Sequence, residues 1–102
     1  MGLLAIAVFE VNESKDEECL AVCRKLYEYL HSKGYSEDVT YRDSKKSNTY
    51  LNIRMWASKE AALKAHQDPE VHKIWAQMAK VSKMKKIYED LDKVISDAEL
   101  AI

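Results

Sequence analysis

A tryptophan and a histidine, two residues able to take part in chemistry, lie close together in the segment 50–78. Trp56 ends a predicted strand, and His66 lies on the short helix predicted after it. A neutral imidazole can hold or deprotonate a phenol-like substrate, and an indole can form the wall of a pocket for a flat aromatic molecule. The segment therefore predicts a small-molecule pocket with His66 as its candidate catalytic residue. The structural alternatives are a core anchor for Trp56 and, for His66, a hydrogen bond to the backbone where two helices meet.

Polar residues on the predicted strand 49–56 extend this candidate site. Alternation places Asn52, Arg54 and Trp56 on one face of the strand. If that face is directed at the helices, Asn52 and Arg54 are half-buried groups that need partners and can bind a substrate oxygen. If it is directed at a second subunit, Arg54 forms an ion pair between subunits. Tyr41, on the neighbouring strand, is a candidate phenolic donor to the same pocket or an ordinary cross-strand aromatic residue.

The second helix of the segment contributes two further candidates for ligand binding, Trp75 and His72. Trp75 shares an apolar stripe with Val71 and Met78, which is typical of core packing and is also compatible with a pocket wall. His72 follows His66 by six residues, a spacing that does not share a face of a continuous helix. No carboxylate completes a ligand set at a suitable spacing, so no metal site is predicted.

The elements that position these residues follow from hydrophobic periodicity. Residues 3–11 are almost continuously apolar, which predicts a strand buried on both faces. A capping box of Ser14 and Glu17 predicts the start of a helix, and Gly34 is predicted to end it at the C′ position. Cys19 and its neighbour four residues on, Cys23, fall on the buried stripe of that helix, which indicates small core residues rather than a redox pair.

Two more strands and two helices are predicted after residue 36. Residues 37–42 and 49–56 alternate and predict a pair of strands joined by a polar loop. Ser58 is predicted to cap a helix at residues 59–67, and Asp68 to cap the next helix, with a proline at its first position.

The last part of the chain is ambiguous between strand and helix. We predict a strand at 86–91 because the fold requires one, although 87–95 also fits an amphipathic helix. The resulting order β-α-β-β-α-β predicts an α+β, ferredoxin-like subunit with a four-stranded antiparallel sheet and its helices on one face. We predict a single domain over residues 1–102, with a core at 1–95 and a tail at 96–102.

Size and composition narrow the class of protein. A chain of 102 residues with a net charge of -1 predicts one domain without the basic patch of a nucleic-acid binder.

Residues 3–11 are too few to span a membrane and lack the flanks of a signal peptide, so a cytoplasmic protein with no membrane partner is predicted. The helices can cover only one face of this strand, and a second copy of the chain is the simplest cover for the other. There is no glycine-rich phosphate loop and no G-x-S-x-G motif, so dinucleotide use and triad hydrolysis have no support.

The residues RMWASKEA at 54–61, followed by AHQDP at 65–69, resemble the antibiotic-biosynthesis-monooxygenase-like family. The resemblance covers about residues 52–78, and its predicted element order extends over most of the chain, whereas the part after residue 81 matches poorly. It implies a homodimeric α+β barrel in which two ferredoxin-like sheets pack face to face.

The resemblance also implies a class of chemistry. Family members include oxygenases that use no metal or flavin and oxidise quinols or polyketide-derived aromatic rings, and many other members have no assigned activity. His66 matches the recurrent histidine of the family motif, and the expected cofactor is none. A haem-degrading branch uses a histidine near the register of Trp75 and an asparagine on the first strand. The first strand here has no asparagine before Asn12, so haem binding or degradation is disfavoured, and a non-catalytic small-molecule-binding or stress-related dimer is the main alternative.

Overall fold

The computed structural model describes residues 2–97, which form four strands and three helices. The strands are β1 (Leu4–Val11), β2 (Ser36–Arg42), β3 (Thr49–Trp56) and β4 (Ser82–Leu91), and the helices are α1 (Asp16–Ser32), α2 (Lys59–Gln67) and α3 (Pro69–Val81). This order confirms the predicted ferredoxin-like α+β subunit, with its second helical segment divided into α2 and α3.

The four strands form one antiparallel sheet in the order β2-β3-β1-β4. The most apolar strand, β1, lies between β3 and β4. Its residues Phe9 and Val11 are directed at the helices and are buried, whereas Val8, on the opposite face, is only half-buried in the single chain. The predicted burial of β1 on both faces is therefore met on the helix side alone within one subunit.

Two clusters of buried side chains join the helices to the sheet and to one another. The first places Cys19 and Cys23 of α1 against Phe9 and Tyr50 of the sheet. The second packs α1 against the α2–α3 layer through Leu26, Leu30, Ala65, Val71 and Ile74. Both cysteines are free and buried, as expected of core residues, and the Cys23 thiol lies 3.7 Å from the sulfur of Met78.

The start of α1 differs from the prediction, whereas its end confirms it. Ser14 has a positive φ of 64° and does not cap the helix; the N-cap is Lys15, which makes no side-chain capping hydrogen bond. The predicted capping box is therefore wrong, because Ser14 lies in a left-handed turn before the helix. Gly34 occupies the C′ position with φ 71°, and the N–H groups of Gly34 and Tyr35 donate to the carbonyls of His31 and Leu30. This pair of bonds is a Schellman motif.

The final strand is confirmed as a strand but begins earlier than predicted. β4 starts at Ser82, directly after α3, and residues 92–96 after it have no regular structure, so the alternative of a helix at 87–95 is wrong. Its lysine-rich first half is exposed at the edge of the sheet, where lysines oppose pairing with another chain. Most of the predicted tail, residues 98–102, lies outside the described residues. Every helix within residues 2–97 is too short or too polar to span a lipid bilayer.

Candidate functional site

The junction between α2 and α3 is the corner that carries His66, and both helices start at a capping side chain. The Ser58 hydroxyl accepts from the Ala61 N–H at 2.9 Å and opens α2, as predicted. The Asp68 carboxylate accepts from the Glu70 N–H at 2.9 Å and opens α3 with Pro69 in its first turn. The break between the helices lets α2 end and α3 start in a new direction.

This corner places His66 between the two tryptophans. The imidazole centroid lies 5.6 Å from the ring of Trp56 and 5.5 Å from the ring of Trp75, both in tilted or edge-on arrangements. Aromatic pairs at these distances attract through their quadrupoles and hold the ring orientation. The histidine is exposed in the single chain, so its ring can be reached by a ligand.

The hydrogen bonds of His66 define its neutral tautomer. Its Nδ1 lies 2.6 Å from the carbonyl oxygen of Ala62, one turn earlier in α2. A carbonyl can only accept, so Nδ1 carries the proton and Nε2 is left as the acceptor of the neutral ring. A histidine in this tautomer can take a proton at Nε2.

The sheet–helix cavity lies beside this histidine and has a volume of about 400 Å³. Its floor is the helix-facing side of the sheet, and its walls include α1 and α3. Most of the lining is apolar, and the polar side chains in the lining belong to Tyr27, Asn52, Arg54, His66, Ser82 and Glu89. A largely apolar pocket with a few polar groups is typical of a small-molecule site.

Asn52 and Arg54 are directed at the helices, which decides between the two alternatives left by the sequence. Both line the cavity, and Asn52 is buried. The Arg54 guanidinium lies 5.3 Å from the Trp56 ring centroid, within the range of a cation–π contact. Arg54 is therefore a cavity residue of its own subunit.

Asp38 on β2 was not predicted from the sequence as part of this site. Its side chain is 1% exposed, and Oδ2 accepts from Arg54 Nε at 2.7 Å and from Asn52 Nδ2 at 3.1 Å. The hydroxyl of Ser36 donates to the other oxygen at 2.8 Å. The carboxylate thus holds both polar residues of β3 from the neighbouring strand, outside the cavity lining.

Tyr27 provides a hydroxyl in the cavity wall. Its oxygen lies 2.6 Å from the Thr40 hydroxyl, and either group can donate in this bond. Burial raises the pKa of Tyr27 above its ordinary value, so the phenol stays protonated. Tyr27 was not predicted from the sequence as a site residue.

Tyr41 and His72 lie outside the cavity, in contrast to the prediction. Tyr41 pairs with Leu51 on the opposite face of the sheet and is 59% exposed, so the predicted donor to the pocket is wrong. The His72 Nε2 donates to the carbonyl of His66, and its ring lies 5.4 Å from that of Trp75. His72 therefore stabilises the junction of α2 and α3 and does not line the cavity.

Asp68 also ties the corner to the rest of the subunit. Its second oxygen accepts from the hydroxyls of Tyr29 at 2.7 Å and Tyr35 at 3.0 Å. The bond from Tyr29, together with those from Glu70 N–H and Tyr35, holds the pKa of Asp68 below its ordinary value of 3.8, and it raises the pKa of Tyr29 to about 12. The contact links α1 and the start of β2 to the junction that carries His66.

The lowered pKa of Asp68 makes a prediction about acid stability. A carboxyl whose pKa is lower in the folded state stabilises the fold above its ordinary pKa, and this contribution is lost as the pH falls from about 4 through the lowered value. Asp68→Asn retains a capping side chain but not the charge. We expect a lower melting temperature at neutral pH and a flatter decline below about pH 4. Parallel melting curves for the two proteins would contradict this, and Glu28→Gln on the exposed side of α1 is the control.

Comparison with known proteins gives one family and several similar structures. The family model described as "Antibiotic biosynthesis monooxygenase" matches residues 2–78. No curated protein matches the chain in sequence. Within residues 2–97, no group of three or more histidine, cysteine or acidic side chains is placed to hold a metal ion.

The similar structures share the fold at low sequence identity. SnoaB from Streptomyces nogalater, described as a cofactor-independent oxygenase, is 17% identical with a TM-score of 0.74 over 91% of this chain and 96% of that chain. A putative antibiotic biosynthesis monooxygenase from Bacteroides thetaiotaomicron is 14% identical with a TM-score of 0.75, over 90% of this chain and 89% of that chain. A conserved protein from Methanosarcina mazei is 16% identical with a TM-score of 0.66, over 87% and 95% of the two chains.

Proposed function

The chain belongs to the antibiotic biosynthesis monooxygenase family, whose model matches residues 2–78, and from this membership we propose that it is a cofactor-independent monooxygenase acting on a small quinol or phenolic aromatic substrate. The observation that carries the proposal is the position of His66 at the cavity, between two indole rings and with Nε2 as its acceptor. The description of SnoaB as a cofactor-independent oxygenase supports the same class of reaction.

In this proposal His66 starts the reaction as a general base. A flat phenolic ring lies in the cavity against Trp56 and Trp75 and gives its hydroxyl proton to Nε2 of His66. The remaining N–H groups of the Arg54 guanidinium offer hydrogen bonds to the oxyanion that forms. The apolar lining removes water from the anion and leaves its electrons available to dioxygen.

The oxidation then balances without a further reductant. For an anthrone, which is the keto form of a phenol, the overall change is R₂CH₂ + O₂ → R₂C=O + H₂O. The substrate loses four electrons to dioxygen, two C–H bonds give way to one C=O bond, and the second oxygen atom leaves as water. The proton taken by His66 returns to the departing hydroxide.

The proposal is tested by oxygen consumption with a panel of quinols and anthrones. The expected result is uptake above the spontaneous rate, with one atom from ¹⁸O-labelled dioxygen in the product and the other in water. A failure of every substrate to accelerate oxygen uptake would contradict the proposal.

A non-catalytic ligand-binding protein is the second candidate, because one observation favours it. The bonds from His66 to Ala62 and from His72 to the His66 carbonyl would hold the helix corner together whether or not a reaction takes place. A cavity that binds aromatic molecules with no oxygen uptake would support this second function.

We further propose that the functional protein is a homodimer that packs sheet against sheet. The face of the sheet opposite the helices is apolar across all four strands, through Leu4, Ile6, Val8, Val39, Tyr41, Leu51, Ile53, Met55 and Tyr88. Four of these side chains are more than 40% exposed in the single chain, namely Val39, Tyr41, Met55 and Tyr88. An apolar surface of this extent is typical of an interface.

A charge at the centre of this face is expected to separate the subunits. Ile53 lies opposite Ile6 on one side and Val39 on the other, so Ile53→Lys would bury an unpaired ammonium group between the sheets. Light scattering at micromolar concentration should show a dimer for the native protein and a monomer for the variant. Leu63→Lys, an equal change at an exposed residue of α2, is the matched control and should remain dimeric. A native monomer would contradict the proposal.

A further inference from the structure

Hydrogen bonds within the protein limit which ligand groups Asn52 and His66 can bind at the sheet–helix cavity. These bonds already occupy part of the hydrogen-bonding capacity of both side chains. The Asn52 amide has one acceptor oxygen and one donor NH₂ group, and His66 in its neutral form has one of each. The contacts of both side chains within the protein are made through their donors. At these two side chains the ligand therefore meets acceptors, whereas the Arg54 guanidinium retains free N–H donors.

The orientation of the Asn52 amide follows from its two partners. Nδ2 donates to Asp38 Oδ2 at 3.1 Å and to the Val39 carbonyl at 3.3 Å, and neither oxygen can donate in return. Both partners belong to β2, which contributes no residue to the cavity lining. The NH₂ group is thus directed at β2, and Oδ1 lies on the side of the amide nearer the cavity.

Asp38 holds this orientation against a competing one. Its Oδ2 also accepts from Arg54 Nε at 2.7 Å, so Arg54 and Asn52 converge on a single oxygen. Without the carboxylate, the guanidinium would need another acceptor, and the Asn52 amide, which shares the same carboxylate oxygen, could rotate to offer its oxygen. Rotation would turn the NH₂ group toward the cavity.

We infer that Asp38 is a positioning residue that makes the cavity select aromatic ligands carrying a hydrogen-bond donor, the hydroxyl form, over the corresponding ether or carbonyl form. The ligand hydroxyl donates to Asn52 Oδ1 or His66 Nε2 while its oxygen can accept from Arg54, whereas an ether or carbonyl oxygen can make only the bond from Arg54. This inference rests on the proposed function in taking the cavity as the substrate site. It adds that the reduced substrate is held more tightly than its oxidised product, which favours product release.

The test compares 1-naphthol with 1-methoxynaphthalene, which has the same rings but no donor. Binding is measured by calorimetry under argon, so that no oxidation is involved, for the native protein and for Asp38→Asn and Asp38→Leu. One net hydrogen bond corresponds to a preference of up to about tenfold, and we expect the native protein to prefer 1-naphthol by about this factor. Asp38→Asn can still accept from Asn52 and Arg54 and should keep the preference.

Asp38→Leu should lose or invert the preference for 1-naphthol. If Asp38 had only a structural role, the substitution would lower the affinity for both ligands equally. Equal affinities in the native protein, or a full preference in folded Asp38→Leu, would overturn the inference. If Asp38→Leu does not fold, Asn52→Leu decides instead: the preference should fall, and an unchanged preference overturns the inference. Donor preference without oxygen uptake would refute only the proposed function, and oxygen uptake without donor preference would refute only this inference.

Discussion

Replacing His66 by glutamine is expected to lower the rate of oxygen consumption above the spontaneous rate by about 100-fold to 10,000-fold, the usual contribution of a general base. Glutamine is polar and can still pack between Trp56 and Trp75, but it cannot take a proton. The ring of His66 is held by the Ala62 carbonyl with Nε2 as its acceptor, so the variant removes the group that would take the substrate proton. The measurement is oxygen uptake with the best substrate of the quinol and anthrone panel.

The control for this experiment is His31→Gln, an exposed position in the last turn of α1. Its activity should equal that of the native protein. Melting temperature and affinity for 1-naphthol should be measured for both variants, because a loss of fold would also lower the rate. Undiminished oxygen uptake by folded His66→Gln would remove His66 from the reaction and leave its hydrogen bonds as purely structural.

Much of the fold could be predicted because its signals are local. Ser58 and Asp68 are capping residues followed by helix-forming sequence, and the structure shows both side chains accepting the expected N–H groups. The alternation of β3 placed Asn52 and Arg54 on one face, and both line the cavity. The failed capping box at Ser14 shows the limit of such signals, because the left-handed backbone there depends on how the chain leaves β1.

The site was only partly predictable because it depends on the register between β2 and β3. Arg42 pairs with Tyr50, and the Asp43 N–H donates to the Thr49 carbonyl at 2.9 Å, so the ladder continues one residue into the expected loop. A shift of one residue moves every side chain to the other face of the sheet. In the observed register Tyr41 pairs with Leu51 and lies on the face away from the cavity, whereas Asp38 pairs with Arg54 and lies on the cavity face.

Removing one charge of the Asp38–Arg54 pair is expected to have the largest effect on stability. Arg54→Met would leave a carboxylate that is 1% exposed, with Asn52 and Ser36 as its remaining side-chain donors. Loss of one partner of a buried pair lowers the free energy of unfolding by about 3–5 kcal/mol, because the other charge stays desolvated. Urea denaturation at one fixed protein concentration measures the change.

The double variant Asp38→Leu/Arg54→Met separates this desolvation from ordinary packing. It removes both charges, and buried ion pairs replaced by apolar residues of similar volume are often neutral in stability, so it should be more stable than Arg54→Met alone. Glu60→Gln breaks the exposed pair with Lys64 at 3.9 Å and should change the free energy of unfolding by less than about 1 kcal/mol. If Arg54→Met is no more destabilising than Glu60→Gln, the carboxylate of Asp38 is reached by water. It then cannot hold Asn52 and Arg54 in the positions on which selection by the cavity depends.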